Sequence, residues 1–238
     1  MKNIISICTV IVMFISIVKT GAQDTKGFIS INGGYSIPTG NFTKSEYLDY
    51  TNGFAKAGPS FSLEGAYFFN KHIGVGLTAS MANYGLKTDV LSAGYVEAFA
   101  VDEVTMTVGS YNMLNILPAF YYTLPMDKLN IDFRAMVGYS SLTTPKIQVQ
   151  LEDAADTPII QNASTGGGLS FGIGAGARYK FSSHFGAAIR IDYINSKPNV
   201  NITYTNLNNP TDGLFRNITK YNESIGCINS SLGIFYSF

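Results

Sequence analysis

Tryptophan is absent from this chain, and cysteine is confined to Cys8 and Cys227. Cys8 lies in an apolar leader, so a processed chain keeps one cysteine, which excludes an internal disulfide and a cysteine-rich metal site. Charge is scarce too: Asp, Glu, Lys and Arg make up 13% of residues, about half the share usual in soluble domains. Basic and acidic residues balance at 16 each, with no basic patch or basic helix, and this argues against nucleic acid as a partner. Beyond the leader no apolar run is long enough to span a membrane as a helix. What is abundant is glycine (24), phenylalanine (16) and tyrosine (15). A membrane protein without spanning helices must satisfy its backbone polar groups between strands, in a closed barrel.

The leader has the layout of a secretory signal. Lys2 supplies a positive start, Ile4 to Val18 form the apolar stretch, and Thr20-Gly21-Ala22 offers small residues for cleavage after Ala22. At about 1.5 Å per residue the apolar stretch covers roughly 22 Å, short of the ~30 Å hydrocarbon core, so a membrane anchor is the weaker reading. Cys8 is too early to be a lipid-modified cysteine. The expected organisation is a cleaved leader, 1–22, and one domain, 23–238, with 14 basic and 16 acidic residues after loss of Lys2 and Lys19.

Eight segments alternate with period two. The first is about Gly27 to Ile37, with Ile29, Ile31, Tyr35 and Ile37 on one face. The second, about Pro59 to Phe69, sets Phe61, Leu63, Tyr67 and Phe69 against Ser60, Ser62, Glu64 and Ala66. The third is about Ile73 to Gly85. The fourth, about Ser110 to Leu124, contains Pro118, which removes a ladder donor. In the fifth, about Asn130 to Leu142, Ile131, Phe133, Ala135 and Val137 alternate with Asp132, Arg134 and Met136. The sixth (about Gly168 to Phe181) and seventh (about His184 to Asn195) place Arg178, Arg190 and Asp192 on the polar side. The eighth ends the chain, with Leu232, Ile234, Tyr236 and Phe238 on one face, the pattern of a lipid-facing strand running to a terminal aromatic.

Connections are of two sizes. Asn70-Lys71-His72, Pro125-Met126-Asp127-Lys128 and Ser182-Ser183 are short, and they alternate with long, polar ones such as that holding Asn206-Leu207-Asn208-Asn209-Pro210. Short turns on one side and long loops on the other are the layout of periplasmic turns and extracellular loops in an outer-membrane barrel. The fold expected is therefore all-β: an eight-stranded antiparallel transmembrane up-and-down β-barrel.

The leader ending Gly21-Ala22-Gln23, the eight strands and the Tyr236-Ser237-Phe238 ending resemble the outer-membrane β-barrel domain proteins common in Bacteroidetes, which are similar in build to small barrels of the OmpX, OmpA and OmpW kind. The resemblance covers the processed chain and implies location in the cell outer membrane, with outer-membrane lipid and the barrel-assembly machinery, met through the C-terminal strand, as partners. It rests on pattern and carries little function. The lack of tryptophan departs from common membrane girdles; Tyr35, Tyr139 and Tyr193 near the loops, with Phe69, Tyr122, Tyr179 and Tyr236 near the turns, are placed to substitute.

The inward sets hold six charges, Glu64, Asp132, Arg134, Arg178, Arg190 and Asp192. An eight-stranded barrel is only wide enough for side chains to fill it, so these charges must pair. An ion-paired plug is favoured over a gated ion path or a catalytic carboxylate pair. Glu64 and Arg190 are expected to meet at mid-height, and Asp132, Arg134 and Arg178 to form a second group nearer the short turns. Gly172-Ile173-Gly174-Ala175-Gly176 resembles a nucleotide loop only superficially, since its glycines alternate within one strand. Lipid-trimming barrels use a serine–histidine pair, but His184, beside Ser182 and Ser183, falls at the short-turn end, as does His72. No metal-ligand spacing and no cofactor motif occurs. Asp89, Glu97, Asp102, Glu103, Glu152, Asp153 and Asp156 give the long connections an acidic rim, read as a solvated loop set in preference to a cation or partner site.

These features point to a non-enzymatic protein with a structural or surface-interaction role, its loops meeting an extracellular ligand or envelope protein. A narrow channel for small or apolar solutes, a secretion-apparatus component and a lipid-modifying enzyme are the alternatives.

Overall fold

A computed structural model describes residues 26–46, 52–151, 158–205, 218–222 and 224–238. The leader and its cleavage point, the Asn206–Pro210 stretch, and Glu152, Asp153 and Asp156 lie outside the described residues.

Thirteen strands, one α-helix and a 3-10 turn at Gly40–Phe42 are present among them: β1 (Gly27–Thr39), β2 (Gly58–Phe68), β3 (Ile73–Tyr84), α1 (Thr88–Phe99), β4 (Val104–Val108), β5 (Tyr111–Met126), β6 (Leu129–Thr143), β7 (Ile147–Leu151), β8 (Ile159–Gln161), β9 (Thr165–Lys180), β10 (Phe185–Ser196), β11 (Val200–Thr205), β12 (Ile218–Tyr221) and β13 (Ile225–Ser237). Eight of these close into a barrel in the order β1-β13-β10-β9-β6-β5-β3-β2. All its pairings are antiparallel, and each strand pairs with its barrel neighbours in the sequence except where β13 returns to β1. Closure is sealed at the chain's end, where Gly27 and Phe238 exchange both backbone hydrogen bonds at 3.0 Å. No strand edge is left in the wall, which the hydrocarbon region requires.

Alternation sorts the side chains. Ile31, Phe61, Leu169, Ile173 and Leu232 are each more than 60% exposed on the outer face, while their neighbours in sequence turn into the lumen. Pro118 is outward on β5, at a step where the β5–β6 ladder is interrupted between Ile116 and Ala119. Leu232, Ile234 and Tyr236 face outward as the alternation requires, whereas Phe238 lies past the strand end and is half buried over Gly27.

Short turns join β2 to β3, β5 to β6 and β9 to β10. The second is tighter than the sequence suggests: β5 continues through Met126, leaving Asp127-Lys128 with Asp127 at φ 48°. At the opposite end the long connections are not a merely solvated loop set. They build a second sheet, ordered β12-β11-β8-β7-β4, and carry α1. Their apolar residues recur at structural periods: Ile147 and Val149 on β7 and Val200 on β11 with period two, Leu91 and Tyr95 four apart on α1, all buried. No described helix is long and apolar enough to cross a membrane; the crossing is made by strands.

Candidate functional site

The barrel interior carries all six of the inward charges, five of them no more than 6% exposed and Asp192 at 7%. They form one chain of alternating sign. Arg178 grips Asp132 in a fork, Nε to Oδ2 at 2.6 Å and Nη2 to Oδ1 at 2.8 Å. Arg190 then donates from Nη1 to Asp132 Oδ2 at 2.8 Å and from Nε and Nη2 to the Glu64 carboxylate at 3.1 and 2.9 Å. Arg134 continues the chain, with Nη1 2.8 Å from Glu64 Oε2 and a second fork on Asp192 at 2.8 and 2.5 Å. Tyr121 donates to Glu64 Oε1 at 2.9 Å and Thr123 to Asp132 Oδ1 at 2.7 Å. Three guanidinium groups neutralise three carboxylates, and the forks fix orientation as well as charge.

The two separate groups expected from sequence are one network. Arg134 lies two residues past Asp132 on β6, roughly 6.6 Å further along the strand, which brings it level with Glu64 and Asp192 rather than with Asp132. Asp192, to which the sequence gives no partner, is the far end of the chain.

Room for these side chains comes from β9. A Cβ at Gly174 would overlap Asp192 Oδ1 and sit 3.1 Å from Arg134 Nε, and one at Gly176 would sit 2.5 Å from Arg190 Nη1. The Gly-x-Gly run is thus a recess for the arginines, with no turn or helix start to hold a phosphate.

An aromatic floor lies between the ion chain and the short turns. Phe28 is ringed by Phe68, Tyr121 and Phe235 at centroid distances of 6.1 to 6.3 Å. The Arg178 guanidinium stands 4.0 Å above the Phe28 ring, within cation–π range. Sequence reasoning passed over these residues because it weighed aromatics only as outward girdles; Phe68 shares the inward parity of Glu64, which is the signal that finds it. On the other side of the chain a cavity of about 20 Å³ is lined by Ser62, Thr78, Asp192, Asn229 and Ser231. It has the size of a water site, and Asn229 Oδ1 is buried beside it without a protein partner. Above this, Ser36 and Tyr84 hydroxyls meet at 2.6 Å, and Phe42 packs edge-on against Tyr84 and Tyr111 at 5.2 and 5.0 Å. The lumen is therefore filled in layers: aromatic floor, ion chain, small polar cavity, aromatic cap.

The histidines take no part in it. His184 Nδ1 is 2.8 Å from Ser183 Oγ, but both are exposed at the short-turn end and the imidazole stacks on Tyr236. His72 bonds the Thr123 carbonyl at 3.0 Å and stacks on Tyr122. Among the described residues no group of three or more His, Cys, Asp or Glu side chains is placed to hold a metal. Asp89 and Glu97 lie exposed on α1, with Asp102 and Glu103 exposed between α1 and β4.

A family model described as the outer membrane protein beta-barrel domain matches residues 8–214. The chain belongs to that family. It is a small outer-membrane β-barrel protein, as its closed eight-stranded wall and apolar outer face require of a strand-built membrane protein. Comparison with curated protein sequences yields no match. Among solved structures it is similar to Ail, the attachment invasion locus protein of Yersinia pestis (14% identity, 91% of this chain and 100% of that one, TM-score 0.48). It is also similar to the outer membrane protein OprG from Pseudomonas aeruginosa (14%, 90% and 97%, 0.47) and the outer membrane protease OmpT from Escherichia coli (8%, 94% and 100%, 0.42). A fold does not determine an activity, so function rests on the residues of the site.

Proposed function

We propose that this protein is a non-enzymatic, non-conducting barrel that serves as a rigid stalk in the outer membrane and presents the β4-β7-β8-β11-β12 sheet and α1 for recognition at the cell surface. The observation that carries the reading is the pairing of a filled lumen with a built exterior. The ion chain spans the interior at mid-height and leaves a cavity sized for a water, while the long connections, instead of trailing in solvent, fold into a sheet and helix whose buried residues join the apolar cluster of the barrel. Ordering such a sheet costs backbone entropy at every residue, an outlay that a barrel needed only to sit in the membrane does not require. Among the described residues β4 and β12 are the outermost strands of the sheet, and an outermost strand is the kind of surface to which an extended segment of an extracellular ligand or envelope protein adds a strand.

The long connections then face outward and both termini face the periplasm, following export directed by residues 1–22 and insertion through the terminal strand bearing Leu232, Ile234, Tyr236 and Phe238. Replacing 88–108 with a short Gly/Ser linker tests the assignment. Surface binding lost with membrane permeability unchanged supports it; an altered permeability with binding intact transfers the role to a channel.

A further inference from the structure

We propose that β4 is a homotypic docking strand, pairing antiparallel with β4 of a second copy of this chain about a two-fold axis at Met106. The strand runs Val104-Thr105-Met106-Thr107-Val108, the same residue types in both directions. Antiparallel pairing centred on Met106 therefore sets Met106 opposite Met106, and Val104 and Thr105 of each copy opposite Val108 and Thr107 of the other. Like meets like at every step, the self-complementarity that an isologous interface needs. Such an axis stands perpendicular to the sheet, so the threonines of both copies share one face and the valines and methionines the other.

The backbone is oriented for this pairing. Gly109 N donates to Lys146 O at 2.8 Å, one step past the Val108–Ile147 pair of the β4–β7 ladder. Thr107 and Thr105 share the parity of Gly109, so their N–H and C=O groups turn to β7, and those of Val104, Met106 and Val108 turn to the other edge. Among the described residues β7 is the one strand paired with β4. The sequence of β4 carries no lysine or proline, the usual guards of a strand edge, whereas that of β12, on the far side of the sheet, includes Lys220. Side-chain cover also stops short: Ile147 and Val149 on β7 are 7% and 1% exposed, but Val108 and Met106 opposite them, with Val104, are only half buried. A second β4 extends this apolar row. It also sets Thr105 against Thr107 as non-hydrogen-bonded pairs, whose side chains stand closest. No like charges meet, since Glu103 of each copy falls opposite Gly109 of the other. This pairing presupposes that the outer sheet serves recognition, as proposed above, and supplies the partner.

The test is native mass spectrometry and disulfide trapping of the full chain refolded in detergent, with micelles in excess of protein. In micelles two barrels can take whatever relative orientation the strand pair imposes. Wild type is expected to be dimeric. Met106→Cys sets its two copies opposite each other, about 5.5 Å apart at Cα and within disulfide reach, and is expected to give a covalent dimer on mild oxidation. Val104→Cys alone is expected to give none, because in this register its two copies stand roughly 14 Å apart along the strands; mixed with Val108→Cys it is expected to cross-link. Asn201→Cys, exposed on β11, is expected to stay uncross-linked, and the buried Cys227 is common to all variants. A charge swap checks the register without added cysteine. Thr105→Lys with Thr107→Lys, and Thr105→Glu with Thr107→Glu, oppose like charges and are each expected to be monomeric, while their mixture is expected to form a heterodimer. Replacement of 88–108 judges surface recognition separately, so a monomeric wild type would remove the self-pairing and leave that assignment standing. A wild type without dimer, cross-linking that ignores position, or a Lys and Glu mixture no more dimeric than its parts overturns the pairing.

Discussion

Arg190 on β10 grips Glu64 on β2 with two nitrogens of its guanidinium, at 3.1 and 2.9 Å, although β1 and β13 stand between these strands in the wall. The pair therefore spans the lumen, and because Arg190 also holds Asp132, it joins the two halves of the ion chain. Arg190→Ala leaves two buried carboxylates short of a cation. The expected cost is about 3–5 kcal/mol in urea unfolding of the refolded barrel. Adding Glu64→Gln removes one of the stranded charges and should recover part of that loss, while Asp132 remains undercompensated. Strictly additive losses in the double variant would show that the pairing does not exist in the folded protein.

The recess on β9 gives a steric prediction independent of charge. A methyl group at Gly174 meets the Asp192 carboxylate and Arg134 at once, so Gly174→Ala should destabilise by about 1–3 kcal/mol through overpacking. Replacement at Gly33, where a Cβ finds nothing nearer than the Phe61 ring at 3.6 Å, should cost distinctly less in the same unfolding assay. Equal effects would remove the recess from the account.

On the outer wall, Ile173 is 65% exposed near the level of the ion chain, since its neighbour Gly174 lies opposite Arg134. Ile173→Arg puts a charge into hydrocarbon and is expected to cost about 2–4 kcal/mol, seen as loss of the heat-resistant fast-migrating form on gels. Asn201→Arg, at an exposed position of β11, should change stability by no more than about 0.5 kcal/mol. A tolerated Ile173→Arg would place this face in water.

Leu91 is buried in the apolar cluster that α1 shares with the outer sheet and the barrel. Leu91→Ala should weaken that attachment, by about 2 kcal/mol or more if the site does not collapse, and the loss should be local. Hydrogen exchange is expected to speed up in α1 and β4 while the barrel strands keep their protection. Loss of protection throughout the wall would mean that the sheet and barrel unfold together.

The barrel was legible because its strands alternate over ten or more residues and its turns are short, so parity alone assigns each side chain to lumen or lipid. That is how Glu64, Asp132, Arg134, Arg178, Arg190 and Asp192 are found from sequence. Parity says nothing of height, and partners in a tilted, staggered wall depend on height. Arg134 accordingly reaches Asp192, with β9 between their strands, and Glu64 across the lumen, instead of the Asp132 two residues away. The outer sheet was hidden for a different reason. Its strands are short, three to six residues, and are set among Asn, Thr and Asp, so the apolar positions of Ile147, Val149 and Val200 read as isolated residues in polar loops.

The filled lumen is the centre of the account, and ion current across a planar bilayer measures it directly. The intact protein, inserted at known density, should add no steady conductance over the bare membrane, and the Arg190→Ala and Glu64→Gln double variant should leave the aromatic floor in place and conduct little more. A stable, voltage-independent current through wild type that disappears when Phe28 is replaced by a bulkier tryptophan would contradict it, because the current would then have to pass through the barrel interior.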